Sequence, residues 1–267
     1  MPRRIPGTLF VRNLVERRNL LLQLVRRDFE QRFVGSTIGW IWGLIHPLVL
    51  LLSWVYIFQY CLKLQPSSDV PYPLFIFSGM LPWLLFSDTV QRSANSLLDH
   101  ANLITKSVFP SEIVPVSVFL SALVSHLLAL TLMVGATALY LHKFSAFLLL
   151  LPLFMFLVGL FSVGLGWVMA SLHVFLRDTA QFLTVVLTFW FWMTPIMIPE
   201  DKVPHKVRLL LLANPMNYAV RVYRSALLEA RWPAPMDLTI LAASSLTVFV
   251  LGGLFFRYMK RGFADVL

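Results

Sequence analysis

Arg26-Arg27-Asp28-Phe29-Glu30-Gln31-Arg32 runs directly into Phe33 to Leu62, thirty residues without an Asp, Glu, Lys or Arg. A bilayer core about 30 Å thick takes roughly 20 apolar residues per helical crossing and rejects charge. The boundary therefore marks where the chain passes into a membrane. Composition agrees: 58% of residues are hydrophobic, 13% are charged and mean hydropathy is +0.76, more apolar surface than a water-soluble fold can bury.

Outward from this stretch, five more uncharged runs follow: Val70 to Ser87, Ile113 to His142, Phe144 to Leu176, Thr179 to Pro199 and Leu238 to Phe256. Six helical crossings are expected, over about 36–62, 72–97, 113–141, 145–174, 179–198 and 238–257. Lys143 alone separates the third and fourth runs, which predicts a tight helical hairpin. With the N-terminus inside, cytoplasmic segments hold fourteen Lys and Arg and external ones eight. That bias places both termini in the cytoplasm. The strain on this topology is the segment before the last crossing, which holds six of the eight: Lys202, Lys206, Arg208, Arg221, Arg224 and Arg231.

Several function classes drop out. One cysteine, Cys61, excludes an intrachain disulfide and Cys-based metal sites. The six histidines lie far apart, with no HExxH pattern. No removable signal peptide is expected after Met1-Pro2-Arg3-Arg4, since no short apolar core with a small-residue cleavage site follows. The net charge of +9 borders apolar runs instead of interleaving with aromatics, so it reads as topology and not as a nucleic-acid surface. No glycine precedes a lysine, so the chain carries no GxxxxGK[ST] phosphate loop. Its crossings also lack the carboxylates of an ion-driven carrier, with Asp88 the nearest candidate. The chain therefore carries no energy source of either kind.

Local patterns point to sites. Leu22, Val25, Phe29 and Phe33 share one helical stripe opposite Gln23, Arg27 and Gln31, so residues 1–34 are expected to end in an amphipathic helix lying in the cytoplasmic interface. Arg26 and Arg32 flank the stripe and can reach phosphates. Gly35, Gly39 and Gly43 recur at i, i+4, i+8, a spacing that lets a second helix approach, and Pro47 should kink the same helix. Residues 97–112 mix polar and apolar types and break at Pro110, predicting a short cytoplasmic helix. Leu209 to Val220 is too short to cross and is broken by Asn214-Pro215; residues 200–231 therefore read as an external pair of short helices dipping into the interface, with Arg221 and Arg224 on one face. Trp42, Trp54, Trp190 and Trp192 are either interfacial anchors or contact points for a sliding polymer.

The stretch from Arg27 to Pro47, with its spaced Arg, Gly35-Ser36, Gly39-Trp40, Trp42 and Pro47, resembles the leading motif of ABC-2 type permeases that export polysaccharides. Phe175-Leu176-Arg177-Asp178, Thr194-Pro195-Ile196-Met197 and Asn214-Pro215-Met216 with Arg221 and Arg224 resemble that family's later motifs, in order and across the whole chain. The resemblance implies a single transmembrane domain over 1–267, an all-α integral membrane protein with six transmembrane helices, an N-terminal amphipathic interfacial helix and a re-entrant external hairpin before the last helix. It implies a homodimer in a bacterial inner membrane, paired with two copies of an ATP-binding subunit that carries the ATP and Mg, with no cofactor or catalytic residue on this chain. The cargo implied is a lipid-linked polysaccharide (capsule, O-antigen or teichoic acid), with room for periplasmic or outer-membrane export components.

By matching position, Arg26, Arg27, Arg32 and Phe33 would flank the channel entrance. Asn102, Leu103, Lys106, Phe109, Pro110 and Glu112 would dock on the ATPase, Arg177 and Asp178 would form the cytoplasmic loop, and Asn214, Pro215, Tyr218, Arg221 and Arg224 would form the external gate hairpin. Two other readings stand beside it. One keeps the permease but makes the cargo a drug or small lipid. The other is a multispan lipid-modifying transferase, for which the close acidic pairs Asp28/Glu30 and Glu200/Asp201 lack a suitable His nearby.

Overall fold

The computed structural model describes residues 17–32, 35–63, 70–106, 109–141 and 146–266. Among the described residues there is no strand. The expectations for residues 1–16, for Phe33 and for the turn at Lys143 lie outside them, as do Ser107 and Val108.

The helices are α1 (Arg18–Gln31), α2 (Trp42–Val55), α3 (Tyr72–Asp99), α4 (Ala101–Lys106), α5 (Ile113–Leu141), α6 (Leu151–Phe175), α7 (Thr179–Trp192), α8 (His205–Ala213), α9 (Pro215–Arg224), α10 (Pro235–Met259) and α11 (Phe263–Val266). Among the described residues, five helical stretches are long and apolar enough to cross a membrane: Gly39–Cys61, Tyr72–Asp99, Ile113–Tyr140, Ala146–Phe175 and Pro235–Gly262. Prolines mark their starts, where a missing N–H costs nothing: Pro73 in α3, Pro152 in α6 and Pro235 in α10.

Burial sorts these helices. The apolar window of α3 is 78% buried, against 17% for the stretch holding α2 and 17% for that holding α10, so α3 is central and the other two are peripheral. α6 packs on both α3 and α10. Its glycines allow the approach: a Cβ on Gly252 of α10 would stand 2.1 Å from the Gly164 carbonyl oxygen, and one on Gly164 would stand 2.6 Å from that of Val248. The two backbones are in contact, a packing that lipid does not drive and only small residues permit.

Two expectations change. Gly35 (φ +78°) precedes the first crossing and Gly39 (φ +60°) opens it as a 3-10 turn; both adopt the left-handed backbone that glycine tolerates best, and nothing in this chain comes within 4 Å of a Cβ at either. Their service is to turn the chain from α1 into α2. The crossing expected over 179–198 is helical only to Trp192, because Pro195 and Pro199 cannot donate to a helical ladder. Beyond it the chain is held by other donors: Tyr72 Oη to the Met197 carbonyl (2.8 Å), Arg224 Nη2 to that of Ile196 (2.8 Å) and Asn214 Nδ2 to Thr194 Oγ1 (3.0 Å).

Candidate functional site

A cleft of about 680 Å³ opens between α2, α3, α5 and α7. Its composition is graded. One wall is aromatic, with Trp42, Trp54, Trp83 and Phe191 on the lining; Trp54 and Phe191 lie 5.0 Å apart, and Trp83 meets Phe191 edge-on at 5.5 Å. Polar residues line it from the same helices, where Gln91 Nε2 donates to Thr184 Oγ1 at 2.9 Å and Thr188 and His46 also face the cleft.

The mouth toward α1 is charged. Arg92 pairs with Asp28 (Nη1 to Oδ2, 2.5 Å) and bidentately with Asp88 (2.9 and 3.1 Å), while Arg32 reaches Asp88 at 3.2 Å and Ser125 Oγ at 3.2 Å. Burial raises the Asp28 carboxyl above the usual value, opposed by the Arg32 charge. Asp88 and Arg92 stand four residues apart, a pair visible in the sequence; that Asp28 and Arg32 complete it depends on how α1 rotates. The protein-facing side of α1 is accordingly Leu24, Asp28 and Arg32, whereas Leu22 of the apolar stripe is exposed. Arg26 and Arg27 are exposed too, Arg26 pairing with Glu30 at 2.7 Å.

Of the four tryptophans singled out, Trp42 and Trp54 line the cleft. Trp192 is exposed. Trp190 sits behind the lining against Phe86 (5.1 Å) and Phe161 (6.2 Å), and its Nε1 donates to Asn214. Gly43 and Pro47 also line the cleft from α2, Pro47 buried within that helix.

At the opposite end, the short helices α8 and α9 meet at Asn214-Pro215. Asn214 caps α9 by accepting from Met216 N at 3.0 Å, and Tyr218 Oη donates to the Leu212 carbonyl at 2.7 Å, closing the turn. Arg221 and Arg224 diverge. Arg221 is half-buried, donates to Glu200 and to Asp237 Oδ1 (3.0 Å), and lies over the Tyr218 ring. The hydrogen bonding it donates to Glu200 raises its pKa above the ordinary value, holding the charge firmly. Arg224 is buried, 3.7 Å from the Phe75 ring centroid, and supplies the donor that the unwound Ile196 carbonyl needs.

At the α1 end, α4 exposes Asn102 and Leu103 and turns Ile104 inward; nothing is described of the Lys106 side chain. Phe109 and Pro110 pass beneath, and Glu112 accepts from Lys260 Nζ at 2.6 Å. Arg177 and Asp178 form the exposed turn between α6 and α7. Among the described residues no three His, Cys, Asp or Glu are grouped to hold a metal ion.

The family model described as ABC-2 type transporter matches residues 19–228. The chain is 31% identical over 258 residues to the O-antigen export system permease protein RfbA of Myxococcus xanthus, covering 96% of this chain and 98% of that protein. It is 23% identical to a permease of the same name from Klebsiella pneumoniae (93% and 95% covered) and 24% identical to the polysialic acid transport protein KpsM of Escherichia coli (88% and 91%).

Proposed function

This chain belongs to the ABC-2 type transporter family, and from that premise we propose that it is the permease subunit of an ATP-driven exporter that moves a lipid-linked polysaccharide across a bacterial inner membrane. The observation that carries the reading is the near end-to-end similarity to O-antigen permease proteins and to a polysialic acid transport protein. Capsule or O-antigen is the cargo class. Two copies of the chain form the pathway, and two separate ATP-binding subunits supply energy.

Six crossings make up the domain over 1–267. The fifth in chain order is α7, whose fourteen residues rise about 21 Å and fall short of a core about 30 Å thick. The buried turn Thr194 to Met197 completes the passage, its carbonyls served by Tyr72 and Arg224 as a dry environment demands. Both termini are cytoplasmic, and α1 lies in the inner interface with Leu22 toward lipid. Arg27, Arg26 and Arg32 meet the phosphate of the lipid carrier at the entrance, with Phe33 beside them. The graded cleft supports that role: a charged mouth suits a headgroup, and aromatic faces give a sugar chain weak, repeated contacts. Asn102 to Glu112 dock on the ATPase, and 200–231 is the re-entrant hairpin that closes the outer end.

Co-expression with a candidate ATP-binding subunit, purification through a tag on this chain and reconstitution test the proposal. An equimolar complex whose ATP hydrolysis responds to lipid-linked polysaccharide is the expected result; a well-folded chain that captures no ATPase overturns it. Arg27→Ala and Arg32→Ala should impair export and leave insertion intact, and full export by both would remove the entrance role.

A further inference from the structure

Besides the main core, the protein has a second apolar cluster, confined to the α1 end. It gathers Leu97 from α3, Val114 from α5, Trp167 and Val174 from α6, Phe256 from α10 and Phe263 from α11, with Ile104 and Phe109 packed against it. Phe263 folds back against α10 and α6, 5.4 Å from Phe256 and 6.1 Å from Phe175. Segments far apart in the chain therefore share one small core beside α4.

Two polar contacts pin the α4–α5 connection to this core. Trp167 Nε1 donates to the Glu112 backbone carbonyl at 3.0 Å, and Lys260 Nζ donates to its carboxylate at 2.6 Å. Glu112 is thus held by α6 through its backbone and by the end of α10 through its side chain. The Lys260 side chain is 40% exposed and that of Glu112 21%. A pair this wet contributes little to global stability, while the apolar cluster holds the fold without it. What the pair does fix is the position of the connection relative to α10.

We infer that Lys260 is a positioning residue for energy coupling: its bond to Glu112 tethers the α4–α5 connection to α10, so that displacement of α4 moves the ends of α6 and α10 with it. This rests on the reading of residues 102–112 as the ATPase contact. Without the tether, the connection keeps the Trp167 bond to the Glu112 backbone but loses its direct tie to the end of α10, and a push on it would reach α10 only through α6.

Hydrogen exchange on the purified chain in nanodiscs, with no ATPase present, tests the tether by itself. Lys260→Glu should speed exchange of residues 101–106 and 109–113 about two- to fivefold, and Lys260→Glu with Glu112→Lys should return it to the starting rate. Unchanged exchange in the single variant overturns the tether. In the complex with the ATP-binding subunit, Lys260→Glu should retain ATP hydrolysis and lose export; a Lys260→Glu variant that exports normally overturns the coupling role. If the unaltered chain binds no ATPase, the docking reading fails and the coupling role with it, while the exchange result still decides the tether.

Discussion

Trp190 Nε1 donates to Asn214 Oδ1 at 2.7 Å, and the same oxygen caps the first turn of α9 by accepting from Met216 N. One side chain thereby joins α7 to the hairpin. Asn214→Ala removes a helix cap, worth about 1 kcal/mol, and orphans the Trp190 donor, at about 1–3 kcal/mol more. The thermal midpoint followed by tryptophan fluorescence should fall clearly. Asn214→Asp keeps the acceptor and loses the bond to Thr194, so its loss should be smaller. Equal losses for the two would show that the acceptor role is not what matters.

Arg221 joins the hairpin to two acidic residues from different segments, Glu200 and Asp237. Arg221→Met leaves both carboxylates facing each other without a cation, an expected cost of about 1–3 kcal/mol, lowered by partial exposure. Arg221→Lys keeps the charge and loses the fork that serves both partners, so it should fall between. Thermal unfolding at low and high ionic strength checks this, and a Lys variant as stable as the parent would remove the geometric argument.

The charged mouth predicts that α1 is held by Arg92. With Cys61→Ser as background and a reporter at Leu24→Cys, Arg92→Ala should raise maleimide labelling several-fold, because the buried Leu24 side of α1 loosens once Asp28 loses its nearest cation on α3 and keeps only the longer pair with Arg32 inside α1. Arg26→Ala, which breaks only an exposed pair within α1, should leave labelling unchanged. Labelling that responds equally to both would place the anchor elsewhere.

Gly252→Ala should be among the most damaging single-methyl changes, since its Cβ would stand 2.1 Å from a backbone oxygen that no side-chain motion can relieve. Gly135→Ala meets nothing within 4 Å and should stabilise α5 by about 0.5–1 kcal/mol. Yield of folded, monodisperse protein from membranes separates the two; equal yields would mean that α6 and α10 can part without cost.

Much of this was readable from the chain because apolarity and length are local properties. A run such as Ile113 to His142 has to become a helix in lipid whatever it packs against. Pro195, Pro199 and the Asn214-Pro215 break were equally visible, and so was the Asp88, Arg92 pair at i, i+4. The partners of that pair were not: Asp28 lies 64 residues from Arg92, and helical phase alone does not say which side of α1 meets protein and which meets lipid. Gly35, Gly39 and Gly43 matched a packing pattern, and only backbone angles revealed that the first two make a turn. Arg221 and Arg224 looked like companions three residues apart, yet one reaches a pair of carboxylates and the other is sealed against Phe75.

By itself the sequence determined that this protein lives in a membrane, roughly where each helix runs, and that it carries no phosphate loop of its own. The family followed from motifs in order along the chain. Tertiary structure alone decided the charged mouth of Asp28, Arg32, Asp88 and Arg92, the backbone contact of Gly164 with Gly252, and the tie from Lys260 to Glu112, 148 residues away. Whether a segment enters lipid is settled by summing its own residues, but which side chains meet depends on the rotation and depth of every helix at once, and no local pattern encodes that.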